Sequence, residues 1–317
     1  MVNSTPTRSL WPHAAYPVTT HCHSVTTDCH STSRPSRCGP PTSPSSIACC
    51  PIPVEEMLMS AETTPLLLKA NLKQLKLPTM LAEWEKLARE AAAKDEAYES
   101  YLLRLTEVEV TTRSANALAA RIRAATFPVV KDFDTFDFAA VPGVPKQKVL
   151  ELSRGAWVEA HANCCLIGNA GTGKTHLATA LGLAICRLGR RVKFVTAAGL
   201  VTQLEEAQQQ HRLDRVLGQL DRVDLLVIDE LGYLSFSRGG AELLFQVFAD
   251  RYERRSVLVT SNLAFSVWGS VFQGDRMTAA LLDRLTHRCE IFEMNGESYR
   301  FRESMTAKKL KDPKTGK

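Results

Sequence analysis

Residues 168–175 satisfy every fixed position of the pattern G-x-x-x-x-G-K-[ST]. Glycines in such a loop let the backbone curl until its N–H groups converge on phosphate oxygens, and the helix that follows favours anions at its N-terminus. Lys174 is predicted to bind the β- and γ-phosphates, and the Thr175 hydroxyl to bind Mg²⁺. The sequence therefore predicts a binding loop for ATP, formed by Gly168, Asn169, Ala170, Gly171, Thr172, Gly173, Lys174, Thr175 and His176.

The stretch DLLVIDELGYL places two acidic side chains after a buried strand. Asp229 and Glu230 come at the carboxyl end of that strand, the edge where ligands bind in open α/β sheets. Asp229 is predicted to hold Mg²⁺ through water, and Glu230 to orient and deprotonate the attacking water. A glutamate in this position favours an enzyme that hydrolyses its nucleotide over a protein that only binds it.

Another apolar run, SVLVTSN, ends in the polar residue Asn262. At the tip of a strand in the same sheet, the Asn262 amide is a candidate for contact with the γ-phosphate or the lytic water. The alternative is that Asn262 caps the helix that follows it. The two motifs that precede it in the chain favour the catalytic interpretation.

The stretch LLDRLTHR contains a candidate for charge stabilisation during phosphoryl transfer, Arg284. Sites of this kind often take an arginine from a neighbouring subunit. Arg276 and Arg288 are alternative candidates for that role. The structural alternative is a salt bridge between Arg284 and Asp283.

Apolar runs alternate with helical periodicity over the second half of the chain, which indicates crossover units and a parallel sheet. The predicted strands are Cys164–Ile167, Val192–Val195, Leu225–Ile228, Val257–Thr260 and Cys289–Phe292. The predicted helices are Lys174–Leu188, Leu200–Leu217, Ala241–Arg254 and the stretches 264–270 and 276–287. The fold class is therefore α/β, a parallel sheet with flanking helices.

A helical pattern covers residues 62–126, before the predicted sheet. Pro78 separates the first helix from the second, for which Thr79 is the predicted N-cap. The second helix is predicted to run through TMLAEWEKLAREAAAKDEAYESYLLRLTEVEV, and the third through TTRSANALAARIRAATF. These helices predict a small all-α domain. A linker, residues 131–147, follows it, and three phenylalanines are predicted to anchor the linker to the next domain: Phe133, Phe136 and Phe138.

Residues 1–56 are crowded with Ser, Thr and Pro and show no periodicity. Such a segment cannot bury enough apolar surface to offset its chain entropy, so it is predicted to be disordered or to lie upstream of the true start. A transit peptide is the weaker alternative. Its five cysteines lack the spacing of a zinc site, whereas Cys164, Cys165, Cys186 and Cys289 lie in apolar stretches and are predicted to be small buried residues of a reduced protein.

The net charge of +5 has a local origin. Residues 300–317 carry seven basic and two acidic side chains, and seven minus two gives the same +5. A basic tail can hold a polyanion by releasing counterions, but a solvated end is an equal alternative. No apolar run approaches the ~18 residues of a membrane span, and no secretory signal is evident, so a cytoplasmic protein without a membrane partner is expected.

The motifs together resemble those of the AAA+ ATPases and, more narrowly, of the IstB-like transposition helper ATPases, which are relatives of the DnaC helicase loaders. The resemblance rests on LLLKANLKQLKLPTMLAEWEKLA, LIGNAGTGKTHLATALG, LLVIDELGYL, VLVTSNLAFSVWGSVFQGD and ALLDRLTHRCEIFEMNGESYRFR. It covers roughly residues 62–305. By motif position, Asn262 corresponds to the first sensor and Arg284 to the trans-acting arginine, while Arg300 would contact nucleotide or DNA.

The resemblance implies a domain order and a set of partners. The expected segments are the extension 1–56, a helical domain 57–130, an AAA+ ATPase domain 131–307 and a basic tail 308–317. The implied activity is ATP hydrolysis with Mg²⁺. The implied partners are duplex DNA, a transposase that receives it, and other copies of the chain with ATP at the subunit interfaces.

Two other functions remain as alternatives. A replicative helicase loader would prefer single-stranded DNA and form a stable complex with a helicase. A small-molecule kinase would need an acceptor pocket and a lid, for which the sequence offers no candidate, and Glu230 beside Asp229 suits water activation better.

Overall fold

The protein is described by a computed structural model. The residues that it describes are 54–233, 235–296, 298 and 299. Two compact units divide the chain, residues 1–60 and residues 61–317, and the first contributes only the start of a helix to the described part. Arg300, the basic tail and almost all of the predicted N-terminal extension lie outside the described residues.

Five strands form one sheet in which every neighbouring pair is parallel. Its order is β2-β3-β4-β1-β5, so that β1 lies between β4 and β5. This confirms the predicted parallel sheet. The strands are β1 (Asn163–Ile167), β2 (Val192–Thr196), β3 (Leu225–Leu231), β4 (Ser256–Ser261) and β5 (Cys289–Glu293).

Helices cover both faces of the sheet, as crossover connections between parallel strands require. The helices of this part are α4 (Lys146–Leu152), α5 (Ala156–Glu159), α6 (Lys174–Arg187), α7 (Ala197–Gln209), α8 (Leu213–Asp221), α9 (Arg238–Arg251), α10 (Trp268–Phe272) and α11 (Asp275–Thr286). Short 3-10 turns occupy Phe138–Ala140 and Phe265–Val267. The predicted flanking helices are therefore confirmed.

Alternation along β1 divides the core into two layers. Leu166 packs in the cluster that includes α4 and α6, whereas Cys165 packs on the other face with α7 and α9. Cys164, Cys165 and Cys186 are buried and Cys289 is half-buried, and all four are free thiols. Burial raises the pKa of the Cys186 thiol to about 11. The predicted burial is confirmed for Cys164, Cys165 and Cys186, but it is wrong for Cys289, which lies at the start of β5 and is only half-buried.

The predicted helix 200–217 is wrong in one respect, because the segment forms two helices, α7 and α8. His211 adopts a left-handed conformation with φ of 54° between them. The N–H of Arg212 then donates to the carbonyl of Ala207 at 2.8 Å, which closes the end of α7 and turns the chain into α8. Periodicity alone does not reveal such a stop, because leucines continue on both sides of it.

Buried Arg251 ties the end of α8 to the start of β4. Its guanidinium donates to the carbonyls of Leu220, Val223 and Ser256 at 2.8 to 3.0 Å. Burial lowers the pKa of Arg251 to about 10, against the opposing effect of nearby carboxylates. Arg251, which lies within the predicted helix Ala241–Arg254, is thus part of the core.

Three helices precede the sheet: α1 (Val54–Gln74), α2 (Pro78–Ala93) and α3 (Tyr98–Ala125). The predicted boundary between the second and third helices is wrong, since the chain breaks at 94–97 and α3 continues through TEVEVTTR. Asp95, in a left-handed conformation with φ of 50°, makes that break. A small cluster of apolar side chains joins these helices: Leu72, Met80, Leu87 and Leu105.

The second half of α3 belongs to a different packing environment from the first. Leu118, Ile122 and Ala125 pack against the core cluster on the α6 side of the sheet. Arg121 Nε also donates to the carbonyl of Cys186 near the C-terminus of α6 at 3.0 Å. The helical domain 57–130 with a boundary at 130/131 stays a prediction.

A buried glutamate caps helix α2, where Thr79 was predicted to do so. The N-cap position is Leu77, and no side chain of the cap residue bonds to the helix. Instead Glu109 of α3, 4% exposed, accepts hydrogen bonds at its Oε2 from the N–H groups of Thr79 (2.8 Å) and Met80 (3.0 Å). The predicted cap is therefore wrong because a carboxylate from 30 residues away provides a stronger acceptor.

We expect Glu109→Gln to lower the melting temperature at pH 7 by roughly 2–4 °C, because a neutral amide accepts these bonds more weakly. Burial of Glu109 favours its neutral form, but the N–H groups of Met80 and Thr79 and the charge of Arg113 outweigh it, so the pKa of Glu109 is lowered from 4.5. The stability contributed by the charge is present above the unfolded pKa and is lost as the pH falls through the folded value. In thermal melts from pH 7 to pH 3, the melting temperature of the variant should fall less steeply with pH than that of the wild type. Glu107→Gln, a change at an exposed neighbour, should match the wild type in melting temperature at pH 7 and in its dependence on pH.

Candidate active site

The glycine-rich loop lies between β1 and α6, at the carboxyl end of the sheet. Gly168 has φ of 148°, and a Cβ there would overlap the carbonyl oxygen of Met294. Gly173 has φ of 91° and is the N-cap of α6, so that Lys174 is the first residue of the helix. Only glycine fits these two conformations without strain, and the loop shape predicted from the motif follows from them.

Lys174 lies over the middle of the loop. Its Nζ donates to the carbonyls of Gly168 at 2.8 Å and Asn169 at 2.6 Å. The Thr172 hydroxyl also donates to the Asn169 carbonyl, at 2.9 Å. These bonds draw the loop around the ammonium group, so that a positive charge and the N-terminus of α6 face the same space.

The loop and strand β3 meet at a buried carboxylate. Asp229 is 3% exposed, and its Oδ1 accepts a hydrogen bond from the Thr175 hydroxyl at 3.2 Å. Hydroxyl and carboxylate oxygens are the hard ligands that Mg²⁺ takes in nucleotide sites. The residues present therefore fit the ion that the sequence predicts at this point.

Strand β3 contains an irregularity at the Asp–Glu pair. Ile228 pairs with Val259 and Leu231 with Ser261, so two residues of β3 stand opposite the single residue Thr260. Such an arrangement is a β-bulge. Glu230 has φ of 60° there and is exposed, while Asp229 before it is buried. Asp229 therefore faces inward and Glu230 outward, and the bulge sets the backbone conformation from which the Glu230 side chain leaves the strand.

One cavity of about 450 Å³ gathers most of the predicted site residues. The loop from Ala170 to His176 lines it, and Glu230 and Asn262 reach it from the ends of β3 and β4. Asp229 lies behind this surface and reaches the cavity only through its bond to Thr175. Glu230 and Asn262 are exposed on the cavity wall, where a bound phosphate and water would contact them.

The linker 131–147 forms another wall of the cavity. Phe136 is 8% exposed and packs edge-on against Phe138 and His176, with ring centroids 4.8 and 5.2 Å apart. The His176 ring nitrogen Nε2 lies 2.9 Å from the carbonyl of Asp132 and 3.2 Å from the hydroxyl of Thr135. His176, predicted to contact nucleotide, thus also binds the linker to the loop.

Several lining residues were missed from the sequence. An apolar part of the wall comes from Pro128, Val129 and Val141, on either side of the phenylalanine anchors. Tyr299 also lines the cavity, and its N–H donates to the carbonyl of Gly171 at 3.0 Å. The apolar PVV stretch after α3 was the available signal, but without a structure nothing connects it to a loop more than 40 residues away.

Arg284 does not line this cavity. Its guanidinium lies 5.2 Å from the centre of the Phe245 ring, and its Nη1 donates to the carbonyl of Ala280 at 3.0 Å. Among the described residues, Asp283 forms no ion pair with it. Arg284 is half-buried and contacts α9 and α11 of the same chain, whereas Arg276 at the start of α11 is exposed.

Comparison with known proteins identifies the family. The family model described as IstB-like ATP binding protein matches residues 70–307. The chain belongs to this family. The IstB-like protein is 37% identical over 240 residues to the insertion sequence IS5376 putative ATP-binding protein of Geobacillus stearothermophilus, covering 75% of this chain and 96% of that one. It is 38% identical over 240 residues to the insertion sequence IS21 putative ATP-binding protein of Pseudomonas aeruginosa, covering 76% and 91%.

A likeness to solved structures also exists. AMPPCP-bound DnaA from Aquifex aeolicus aligns with a TM-score of 0.47 and 20% identity, over 60% of this chain and 57% of that one. The sheet order and the loop at the carboxyl end of β1 are those of a P-loop ATPase of the AAA+ class, and the IstB-like protein is such an ATPase. The predicted family, fold and enzyme class are confirmed. None of the helices among the described residues combines the length and apolar character needed to cross a bilayer.

We expect His176→Ala to raise KM for ATP roughly three- to tenfold with little change in kcat, because it removes one to two hydrogen bonds that hold the linker wall. Steady-state ATPase assays with a thermal melt of each variant measure this. His287→Ala is the matched control, since His287 contacts the hydroxyl and ring of Tyr252 but does not line the cavity. An unchanged KM in a folded His176→Ala variant would show that the linker wall does not contribute to binding.

Proposed function

We propose that the IstB-like protein is the ATP-hydrolysing, DNA-binding helper of a transposon. It assembles on duplex DNA under the control of ATP and delivers that DNA to a partner transposase in the cytoplasm. The observation that carries the proposal is that one cavity is lined by Lys174, Glu230 and Asn262, residue types suited to binding phosphate and to activating and positioning a water. Relatives named as insertion sequence ATP-binding proteins supply the biological setting.

The proposed residue roles follow from position and chemistry. The loop N–H groups and Lys174 bind the phosphates, and Glu230 accepts a proton from the attacking water. Asn262 donates from its amide to the γ-phosphate or positions that water. Thr175 and Asp229 hold Mg²⁺, which when bound neutralises charge that develops on the phosphates. The hydrogen bond between Thr175 and Asp229 supports this pairing.

The base of the nucleotide is proposed to lie against the apolar wall of the cavity. Pro128, Val129 and Val141 offer an uncharged surface at the side of the loop that the linker covers. An adenine ring gains from leaving water against such a surface. The linker would then contribute to affinity without touching the reacting atoms.

Assembly is proposed to place a second subunit beside the γ-phosphate. The described residues that line the cavity include no arginine, and phosphoryl transfer gains about 10³–10⁵ in rate from one. Arg284 is the proposed donor to the neighbouring site. Its side chain is already ordered by Phe245, which reduces the entropy lost when it contacts a phosphate.

We expect Glu230→Gln to lower kcat for ATP hydrolysis by about 10²–10⁴-fold while the affinity for ATP changes less than about threefold. The amide keeps the size of the side chain but cannot take the proton from water. Single-turnover hydrolysis and nucleotide titration separate the two effects. Glu206→Gln, the same substitution at an exposed residue of α7, serves as the control and should leave kcat unchanged. Normal turnover of the Glu230→Gln variant would contradict the role proposed for Glu230.

We expect the full chain carrying Glu230→Gln to bind duplex DNA cooperatively with ATP and roughly tenfold more weakly without it. Duplex DNA has the higher charge density, so at fixed salt it should be preferred to a single strand of equal length. Titration of both DNA forms by anisotropy, with and without ATP, measures this. A single-strand preference would indicate a helicase loader instead, and no binding to either form would contradict both functions.

A further inference from the structure

The bulge in β3 leaves the N–H of Glu230 without a backbone partner on β4, and the side chain of Thr260 takes that place. Opposite Asp229 and Glu230 the partner strand has one residue, Thr260, so the N–H of Glu230 is not in the regular ladder. A backbone N–H next to buried strands needs a partner. The Thr260 hydroxyl provides it, accepting from Glu230 N at 3.0 Å.

The same hydroxyl also donates. Thr260 Oγ1 donates a hydrogen bond to Oδ1 of Asp229. A hydroxyl has one donor and can accept at the same time, and here both capacities are used on two consecutive residues of β3. Thr260 is 1% exposed, and β-branching restricts its rotamer in a strand, so the hydroxyl has a fixed direction.

Asp229 Oδ1 therefore receives two hydroxyls, Thr175 from the loop and Thr260 from β4. Together they fix the orientation of the carboxylate. The hydrogen bond to Glu230 N fixes the peptide whose left-handed φ of 60° turns the Glu230 side chain into the cavity. That conformation is unfavourable for a residue with a side chain, so it needs support from its surroundings.

We propose that Thr260 is a positioning residue for ATP hydrolysis, which acts by holding Glu230 and Asp229 in their working orientations. The inference rests on the roles proposed above for those two residues. Thr260 also lines the cavity, but it is 1% exposed and its hydroxyl is engaged by the two residues of β3, so it acts through Asp229 and Glu230. Because Asn262 follows two residues later, β4 carries both the support for the β3 carboxylates and a side chain of the cavity wall.

The test compares Thr260→Val with Thr260→Ser in the full chain. Valine has nearly the shape of threonine but no hydroxyl, whereas serine keeps the hydroxyl and loses a methyl group. We expect Thr260→Val to lower kcat by about 10- to 100-fold, since a displacement of about 1 Å at a catalytic group costs that much. KM for ATP should rise by a smaller factor, about three- to tenfold, because Asp229 also contributes to binding of the Mg²⁺ complex. Thr260→Ser should retain kcat within about threefold of the wild type.

A second readout does not depend on turnover. The affinity for a fluorescent ATP analogue should fall in Thr260→Val when Mg²⁺ is present and stay at the wild-type value when EDTA replaces it, because only the Mg²⁺ complex uses Asp229. Thr278→Val is the matched control. Thr278 is also a buried threonine, 5% exposed, and its hydroxyl donates to the carbonyl of Gly274 at 2.8 Å in α11, away from the cavity. It should match Thr260→Val in loss of melting temperature and match the wild type in kcat.

Each outcome decides the point. A folded Thr260→Val with wild-type kcat, or a Thr260→Ser as slow as Thr260→Val, would overturn the inference. If Thr260→Val does not fold, Thr260→Cys gives the same comparison with serine, since a thiol donates and accepts only weakly. Glu230→Gln is assayed in parallel to distinguish failure of the role proposed for Glu230 from failure of the inference about Thr260. Normal turnover of Glu230→Gln would overturn the proposed role of Glu230. Slow turnover of Glu230→Gln together with normal turnover of Thr260→Val would overturn only the inference about Thr260.

Discussion

The position of β1 between β4 and β5 is the constraint on which the site depends. With β3 beside β4, the carboxyl ends of β3, β4 and β1 are consecutive along one edge of the sheet. The glycine-rich loop, the acidic pair and Asn262 each follow one of those strands. They meet in space although nearly 100 residues separate the first from the last, because parallel strands deliver their carboxyl ends to the same edge.

Strands and the phosphate-binding loop could be predicted because their signals are local. Apolar runs located all five strands to within a few residues, and the spacing of glycines with Lys174 located the loop. Helix boundaries were harder. Asp95 and His211 end helices by adopting positive φ, and neither is a glycine or proline that would have marked the stop.

What could not be predicted depends on partners that are distant in the sequence. Glu109 caps α2 from 29 and 30 residues away, and Thr260 binds the β3 pair from 30 and 31 residues away. The bulge itself leaves no mark in the IDEL motif, since an unbroken strand would have the same residues. His176 shows the same limit, because its place in the loop was evident but its bonds to the linker were not.

Helix α3 spans two packing environments. It has 28 residues, or about 42 Å at 1.5 Å per residue, and contains neither glycine nor proline. Leu105 near one end packs with α1 and α2, whereas Ala125 at the other end packs in the core beside α6, the helix that begins with Lys174. The same unbroken helix therefore takes part in the packing of the N-terminal helices and in the core beside the phosphate loop, so a break within α3 would alter both environments at once.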